Sequence, residues 1–347
     1  EYVVASGIST PGPHTVNIAT PGSATLGTTV MRVGMAWNGA PSADGGQQYG
    51  EWEDYSVTVS APEVTVDTTN DTVDGTTTDV ATLLSNKGAD GFISLREAIL
   101  AVNNDSGNSW TIDVGAGIYS IGGQLNIAND VTIVGDAGGG TVLDGGNANR
   151  IFNIGSGHTA TLSQLIIQNG SQASGSGGAI NNVGTLNMTD VVVQTSAADS
   201  GTGGGLRNAG TAVITNSLFV GNSASSGSGG AIQNTAAGDI TLTNVTISGN
   251  SATAGGPGGF LNAGTGSMTN VTITANNNRG FQSTNAAFTV TNTIISGNGG
   301  GDTTGSYTDG GNNLIGTATN LGALADNGGF SHTHALQTGS NAINAGT

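Results

Sequence analysis

The chain has 347 residues and no cysteine, and it is poor in aromatic and charged side chains, which make up 4% and 8% of it. The absence of cysteine excludes a disulfide framework and a thiolate metal site. Only six residues are lysine or arginine, so the formal net charge is −17 at pH 7. Because such a chain offers few cations to phosphate groups, this composition argues against nucleic acid and anionic membrane surfaces as partners.

Long apolar runs and an initiator methionine are also missing. No apolar run reaches the roughly 18 residues of a membrane span, so we expect no membrane insertion. The chain starts at Glu1 and has no signal peptide, which indicates a processed product or a part of a longer chain.

A nine-residue segment recurs along the second half of the chain. "LTNVTISGN" at residues 242–250 has counterparts in "ITNSLFVGN" from Ile214, "MTNVTITAN" from Met268 and "VTNTIISGN" from Val290. The third position of this segment and its earlier equivalents are held, 22 to 28 residues apart, by Gln164, Asp190, Asn216, Asn244, Asn270 and Asn292. A glycine-rich motif, "GGAINN", "GGGLRN", "GGAIQN" or "GGFLNA", precedes four of them. Two motifs that recur in step indicate an internal structural repeat.

Within each unit, apolar and polar residues alternate, which predicts strands, and Gly-rich and Asn-rich breaks predict turns. A unit of about 26 residues is too short for a propeller blade and lacks the helical pattern of other solenoids. We therefore predict an all-β fold, a right-handed parallel β-helix whose coils stack about 4.8 Å apart. Regular coils are expected over about 125–300, and an irregular C-terminal coil over 300–347.

Stacking of the coils gives the recurring asparagines a structural role. Equivalent residues of successive coils lie above one another, and an asparagine amide can donate to one neighbour and accept from the other. We expect Asn216, Asn244, Asn270 and Asn292 to form such a ladder at one corner, with buried amides.

A short helix is predicted before the coils, in "SLREAILAVNN" at residues 94–104. Ser94 and Glu97 form an S-x-x-E capping box, and Leu95, Ile99 and Val102 follow helical spacing. A helix at this place covers the apolar end of the first coil, where strand edges would otherwise be exposed. Arg96 and Glu97 are expected to be solvated or capping residues, not catalytic ones.

Three segments resemble known domain families. "DGFISLREAI" resembles the CSLREA domain that precedes bacterial β-helix segments, with Ile93 at the position of the family's cysteine. "LGALADNGGFSHTHALQTGSNAINAGT" resembles the end of secreted choice-of-anchor β-helix proteins. "TTVMRVGMAWNGAPSADGGQQYGEWEDYSVTV" resembles the C-terminal half of a GEVED domain, a small β-sandwich, with Trp52 in place of the valine of the name motif.

These resemblances imply a bacterial secreted or cell-surface protein. They imply a partial GEVED-like β-sandwich over residues 1–60, a linker over 61–65 and the capped β-helix over 66–347. They also imply an extracellular location.

Acidic residues near the start of the coils suggest a metal site. Asp67, Asp71, Asp74 and Asp79 crowd a stretch with a single lysine, and such oxygen ligands suit Ca²⁺. The alternative is a solvated acidic loop. "HTH" places His332 and His334 on one face of a strand, either as a metal pair or as packing and hydrogen-bonding residues.

The composition of the coils gives little support to catalysis. Between residues 150 and 300 the only acids are Asp190, Asp199 and Asp239, whereas glycoside hydrolysis needs a close carboxylate pair. Asp199 and Arg207 are expected to form a surface ion pair rather than a catalytic one. We therefore predict no catalytic residues and a non-enzymatic extracellular structural protein: a fibre subunit, adhesin or rigid spacer.

Two other functions stay open on the same scaffold. One is a carbohydrate-active enzyme, a lyase or glycosidase, or a glycan-binding module. The other is ice binding through threonine-rich faces, which the irregular threonine spacing disfavours. Self-association is expected through residues 1–60 and 300–347, head to tail, because both ends resemble incomplete domains. A glycan or another cell-surface molecule is the further partner expected.

Overall fold

The computed structural model describes residues 27–36, 50–59, 62–105, 107–253, 255–317 and 319–346. The chain divides into two units, Glu1–Pro62 and Glu63–Thr347. In the first unit, β1 (Gly27–Ala36) and β2 (Gly50–Val59) pair antiparallel, with Gly27 opposite Val59. The remainder of the expected sandwich lies outside the described residues.

The second unit is a parallel β-solenoid with two short helices before its coils. Its elements in chain order are β3 (Glu63–Val66), α1 (Val80–Ser85), α2 (Leu95–Asn104), β4 (Trp110–Val114), β5 (Gly117–Ser120), β6 (Leu125–Ile127), β7 (Val131–Val134), β8 (Thr141–Asp144), β9 (Phe152–Ile154), β10 (Thr159–Gln168), β11 (Ser171–Gln172), β12 (Ile180–Asn182), β13 (Thr185–Gln194), β14 (Ala197–Ala198), β15 (Leu206–Asn208), β16 (Thr211–Thr215), β17 (Leu218–Val220), β18 (Ser223–Ala224), β19 (Ile232–Asn234), β20 (Asp239–Thr243), β21 (Thr246–Ser248), β22 (Ser251–Ala252), β23 (Pro257–Asn262), β24 (Thr265–Thr269), β25 (Thr272–Thr274), β26 (Arg279–Ser283), β27 (Thr289–Thr291), β28 (Ile294–Ser296), β29 (Thr303–Gly305), β30 (Thr308–Asp309), β31 (Leu314–Ile315), β32 (Leu321–Ala325) and β33 (Thr333–Leu336).

Each coil contributes strands to three faces. The first face contains β4, β7, β16, β20, β24, β27, β30 and the first halves of β10 and β13. The second face contains β5, β8, β17, β21, β25, β28, β31 and the second halves of β10 and β13. The third face is an eight-stranded parallel sheet of β6, β9, β12, β15, β19, β23, β26 and β29. The predicted all-β parallel solenoid is confirmed.

The solenoid begins earlier in the chain than the sequence indicated, and its stack of coils continues past residue 300. Residues 63–65, expected in a linker, belong to β3, which pairs in parallel with β4 because Val64 and Val66 alternate into the core. Coils run from residue 110, not from about 125. At the other end, β29, β30 and β31 continue the stack to Ile315.

Residues 319–346, the C-terminal arm, do not form a last coil. The arm folds into an antiparallel hairpin of β32 and β33 with Leu324 opposite His334. His334 Nε2 lies 2.9 Å from Ser248 Oγ, and its Nδ1 lies 2.8 Å from the Gly322 carbonyl oxygen. The outward side chains Leu218 and Ser248 of the second face are each 3% exposed, so the arm covers this face.

The core consists of inward columns of aliphatic and aromatic side chains. At the C-terminal coils, Phe260, Phe281 and Phe288 pack with ring centroids 5.3 to 5.7 Å apart. These rings are fully buried. Burial of each side chain of this size contributes about 1.5–3 kcal/mol, so the alternating pattern of the strands drives the coiling.

Candidate functional site

The corner between the first and second faces carries the recurring asparagines. Asn244 Nδ2 donates to Asn216 Oδ1 at 3.1 Å, Asn270 Nδ2 donates to Asn244 Oδ1 at 3.0 Å, and Asn292 Nδ2 donates to Asn270 Oδ1 at 2.6 Å. This corner ladder lies at the surface, not in the interior, so the expectation of buried amides is wrong. Each residue at this corner, including Gln164 and Asp190, has φ between 48° and 57°. Asparagine tolerates this left-handed conformation better than most residues, which explains its recurrence here.

Two further asparagine ladders are buried, and the sequence analysis missed both. The first ladder runs beside the third face from Asn182 through Asn208 and Asn234 to Asn262, with Nδ2 to Oδ1 distances of 2.7 to 2.8 Å. All four residues are 0% exposed. They close the motifs "GGAINN", "GGGLRN", "GGAIQN" and "GGFLN".

The second buried ladder follows the end of the second face. Asn222, Asn250, Asn276 and Asn298 are joined in sequence by Nδ2 to Oδ1 bonds of 2.9 to 3.0 Å, and Asn298 Nδ2 donates to Asp302 Oδ1 at 2.9 Å. The first three are buried, and Asn298 is half-buried. Their oxygens also accept from backbone N–H groups, as Asn276 Oδ1 does from Asn250 N. These asparagines are the last letters of the nine-residue repeat, so the repeated segment carries one surface ladder and one buried ladder.

The glycine pair before the third face is required by the close approach of the coils. Gly229 has φ of +67°, and a Cβ on the next residue, Gly230, would lie 2.1 Å from the carbonyl oxygen of Ser251. A side chain at either position strains the backbone or separates the coils. The motif is therefore structural.

The cap begins with a complete capping box. Ser94 Oγ accepts from Glu97 N at 3.2 Å, and Ser94 N donates to Glu97 Oε2 at 2.9 Å. Leu95, Ile99 and Val102 are buried against the first coil. Glu97, 1% exposed, also accepts from Asp74 N and Gly75 N at 2.8 and 2.7 Å. This buried carboxylate therefore holds the preceding loop on the cap helix.

Arg96, expected to be a solvated or capping residue, is instead held in an ion pair that is mostly shielded from solvent. Its Nε and Nη2 donate to the two oxygens of Asp71 at 3.0 and 2.7 Å. Its Nη1 donates to the carbonyl of Gln124 at 3.3 Å. The bidentate pair joins the loop, the cap helix and the first coil.

The four carboxylates expected to bind calcium do not converge. Asp67 forms an ion pair with Lys87 at 2.7 Å, and Asp71 pairs with Arg96. Asp74 accepts from Ala89 N at 2.8 Å, and Asp79 caps α1 by accepting from Thr82 N at 2.7 Å. In the described part of the chain, no three His, Asp or Glu side chains are grouped as metal ligands.

The remaining candidate residues serve local contacts. His334 anchors the C-terminal arm. Arg207 donates to Asn181 Oδ1 at 3.0 Å, and among the described ion pairs none joins it to Asp199. Threonines scattered in the sequence become aligned, because the register places Thr189, Thr215, Thr243, Thr269 and Thr291 in one column of the first face.

A row of half-buried and exposed polar side chains crosses the third face near the cap. Gln124 Nε2 donates to Asn126 Oδ1 at 2.6 Å, Asn153 Nδ2 donates to the same oxygen at 3.2 Å, and Asn181 Nδ2 donates to Asn153 Oδ1 at 2.8 Å. Arg207 continues the row by its bond to Asn181. We call this connected row the amide track. A groove of about 110 Å³ at its cap end is lined by Arg96, Ile99, Leu100, Gln124, Leu125 and Asn126.

Comparison with known proteins supports the domain at the N-terminus. Residues 1–58 match the family model of the GEVED domain, which confirms that expectation. No curated protein matches the chain. The chain is similar to the crystal structure of a pectin methylesterase from Aspergillus niger, at 16% identity over 60% of this chain and 77% of that one, with a TM-score of 0.29. At this identity and score, the likeness says nothing about activity.

Within the described residues, neither helix has the length and apolar character needed to cross a membrane.

Proposed function

We propose that this protein is a non-enzymatic extracellular structural component in which the solenoid acts as a rigid spacer. The observation that carries this proposal is the pair of buried asparagine ladders. They connect successive coils by side-chain hydrogen bonds inside the stack, in addition to the backbone ladders of three faces.

Buried amide ladders favour stiffness. Separating two coils leaves buried amides without partners, at about 1–3 kcal/mol for each group, besides breaking the backbone bonds between the strands. The eight strands of the third face extend roughly 34 Å along the stack at about 4.8 Å per step. The C-terminal arm adds contacts to two coils, from Ser331 to Asn216 and from His334 to Ser248. A spacer needs this resistance to opening.

The extracellular and bacterial cell-surface location is part of the proposal. It is supported by the GEVED match and by the resemblance to the CSLREA cap and the choice-of-anchor end. An adhesin or fibre subunit is a finer version of the same function.

Self-association through residues 1–60 and 300–347 is also part of the proposal, with one change. The C-terminal arm is already docked on its own solenoid. The edge of the last coil, at 303–315, is therefore the segment of this region on which a second copy would add strands.

Single-molecule pulling tests the spacer function. Because the chain has no cysteine, Thr65→Cys and Thr308→Cys give two unique attachment points at exposed residues of the first and last coils. We expect the coils to unfold together at high force. Stepwise opening at low force, about 90 Å per 26-residue coil, would refute a stiff spacer.

A parallel screen tests the non-enzymatic part of the proposal. The purified chain is incubated with neutral and anionic polysaccharides, and products of hydrolysis, elimination and ester cleavage are measured. We expect no turnover. Sustained turnover would overturn the proposal and favour the carbohydrate-active enzyme.

A further inference from the structure

The placement of the arginines is the starting observation. The second unit contains four arginines, and three of them, Arg96, Arg150 and Arg207, gather at the amide track. Arg96 Nη1 donates to the backbone oxygen of Gln124, and Arg150 Nη1 donates to its side-chain Oε1 at 2.6 Å. One glutamine thus connects two guanidinium groups.

Two of these arginines have no acidic partner among the described residues. Arg150 donates to the carbonyl oxygens of Gly177 and Ser176 at 2.8 and 2.7 Å, and Arg207 donates to an asparagine. Burial and the positive charge of Arg207 both lower the pKa of Arg150 below the ordinary arginine value. Two like charges therefore lie near enough to repel each other, in a chain whose net charge is −17 and which contains 23 acidic residues.

Donors remain for a ligand. A guanidinium has five N–H groups, and the bonds of Arg150 and Arg207 named above use three and one of them. The amides of Asn126, which is exposed, and of Asn153 and Asn181, which are half-buried, follow the coil spacing of about 4.8 Å, so the amide track is roughly 14 Å long from Asn126 to Arg207. It presents alternating amide donors and acceptors with guanidinium groups at both ends.

The geometry points to the amide track, with Arg150 and Arg207, as a binding site for a linear anionic polysaccharide. This inference rests on the proposed extracellular spacer function and names the partner that the spacer holds. The amides suit sugar hydroxyls, and the arginines suit carboxylate or sulfate groups, which they bind through paired N–H donors. A polysaccharide with widely spaced charges suits these few arginines better than nucleic acid does, because nucleic acid carries a charge every 1.7 Å or so.

Titration calorimetry with the full chain tests the site. The probes are polygalacturonate, which is carboxylated, heparin, which is sulfated, and dextran, which is neutral, all at low ionic strength. We expect one of the two polyanions to bind and dextran not to bind. Because the overall charge of the protein repels polyanions, binding requires a local basic site.

Two charge-matched variants locate the site. Arg207→Gln should weaken binding about tenfold or more, because it removes a charge-assisted hydrogen bond to the ligand. Arg279→Gln removes the same charge from the fourth arginine, which donates to Gly255 O at 2.8 Å outside the amide track. Arg279→Gln should change binding by less than about twofold, because it alters only the overall charge of the protein at a distance from the site. Asn181→Asp should weaken binding as Arg207→Gln does, which keeps the test valid if Arg207→Gln fails to fold.

The outcomes separate this inference from the proposed function. If neither polyanion binds, or if the Arg207 and Arg279 variants bind equally, the inference is overturned while the spacer function stands. If the chain binds a polyanion and also cleaves it, the non-enzymatic function is overturned while the binding site stands.

Discussion

Replacing Asn234 by leucine tests the role of the first buried ladder. Asn234 is 0% exposed, and its Nδ2 donates to Asn262 Oδ1 at 2.8 Å and to Thr265 O at 3.0 Å. Its Oδ1 accepts from Asn208 Nδ2 at 2.8 Å. Leucine has a similar size but no polar atoms, so Asn262 Oδ1 loses its side-chain donor and Asn208 Nδ2 loses its nearest acceptor. Asn208 Nδ2 keeps the carbonyl oxygens of Gly210 and Asp239 as acceptors. We therefore expect a loss of about 1–3 kcal/mol in the free energy of unfolding, the cost of leaving the single buried group Asn262 Oδ1 without its donor.

The matched control is Asn244 in the corner ladder. Asn244→Gly keeps the left-handed backbone at φ 55° and removes only exposed hydrogen bonds, so its cost should stay below about 1 kcal/mol. Asn244→Ala should cost about 1–2 kcal/mol, because alanine is strained at this φ. Urea unfolding followed by circular dichroism measures all three. The reasoning fails if Asn234→Leu is as stable as the wild type, or if Asn244→Gly costs as much as Asn234→Leu.

Three further perturbations test the cap, the acidic stretch and the response to acid. Ile99→Asp places a charge in the contact between α2 and the first coil and should cause unfolding or aggregation, whereas Asn104→Asp on the exposed side of the same helix should not. Equal solubility and equal melting temperature of the two variants would contradict the role of α2 as a cap. Excess chelator or added Ca²⁺ should leave the melting temperature unchanged, because the acids at 67, 71, 74 and 79 already have protein partners; a shift of several degrees with calcium would show that they rearrange to bind it. Burial alone would raise the pKa of Asp144, but hydrogen bonds from Gly146, Gln168 and Asn169 outweigh burial and lower this pKa. The contribution of the Asp144 carboxylate to stability is therefore complete above about pH 4 and is lost as the pH falls through the folded-state pKa. Asp144→Asn should therefore flatten the fall in stability below about pH 4, and an unchanged acid titration would contradict this assignment.

The solenoid itself could be predicted from the sequence because its repeat is visible in the letters. The alternation of apolar and polar residues predicts the strands, and the repeat spacing of 22 to 28 residues predicts the coils. The cap helix was also predictable, since Ser94 and Glu97 carry a local hydrogen-bond signature that needs no tertiary information. Its N-terminal neighbour α1, only six residues long, had no such periodic signal.

The buried ladders could not be assigned because repetition alone does not reveal burial. The nine-residue repeat contains one asparagine at a corner with positive φ and one at its end, and both recur equally well. Which of them turns inward depends on the direction that the chain takes at the corner. A glycine just before the final asparagine, as at Gly249 with φ of +66°, was the available signal that the chain turns there.

The course of the C-terminal arm depended on contacts distant in sequence. His334 and Ser248 are 86 residues apart, and neither segment predicts the other. The apolar outward side chains Ile166, Val192 and Leu218 on the second face were the signal that something covers that face. In the same way, the amide track exists only because the register brings Asn153, Asn181 and Arg207 onto successive strands.

Native-state hydrogen exchange across the coils tests the central claim that buried ladders make the solenoid a single stiff unit. We expect the backbone amides of β10 to β28 to exchange together, with protection close to the full free energy of unfolding, and Asn234→Leu to lower protection in the coils on both sides of the substitution. Separate opening of individual coils at far lower free energy, with a purely local effect of Asn234→Leu, would contradict the claim.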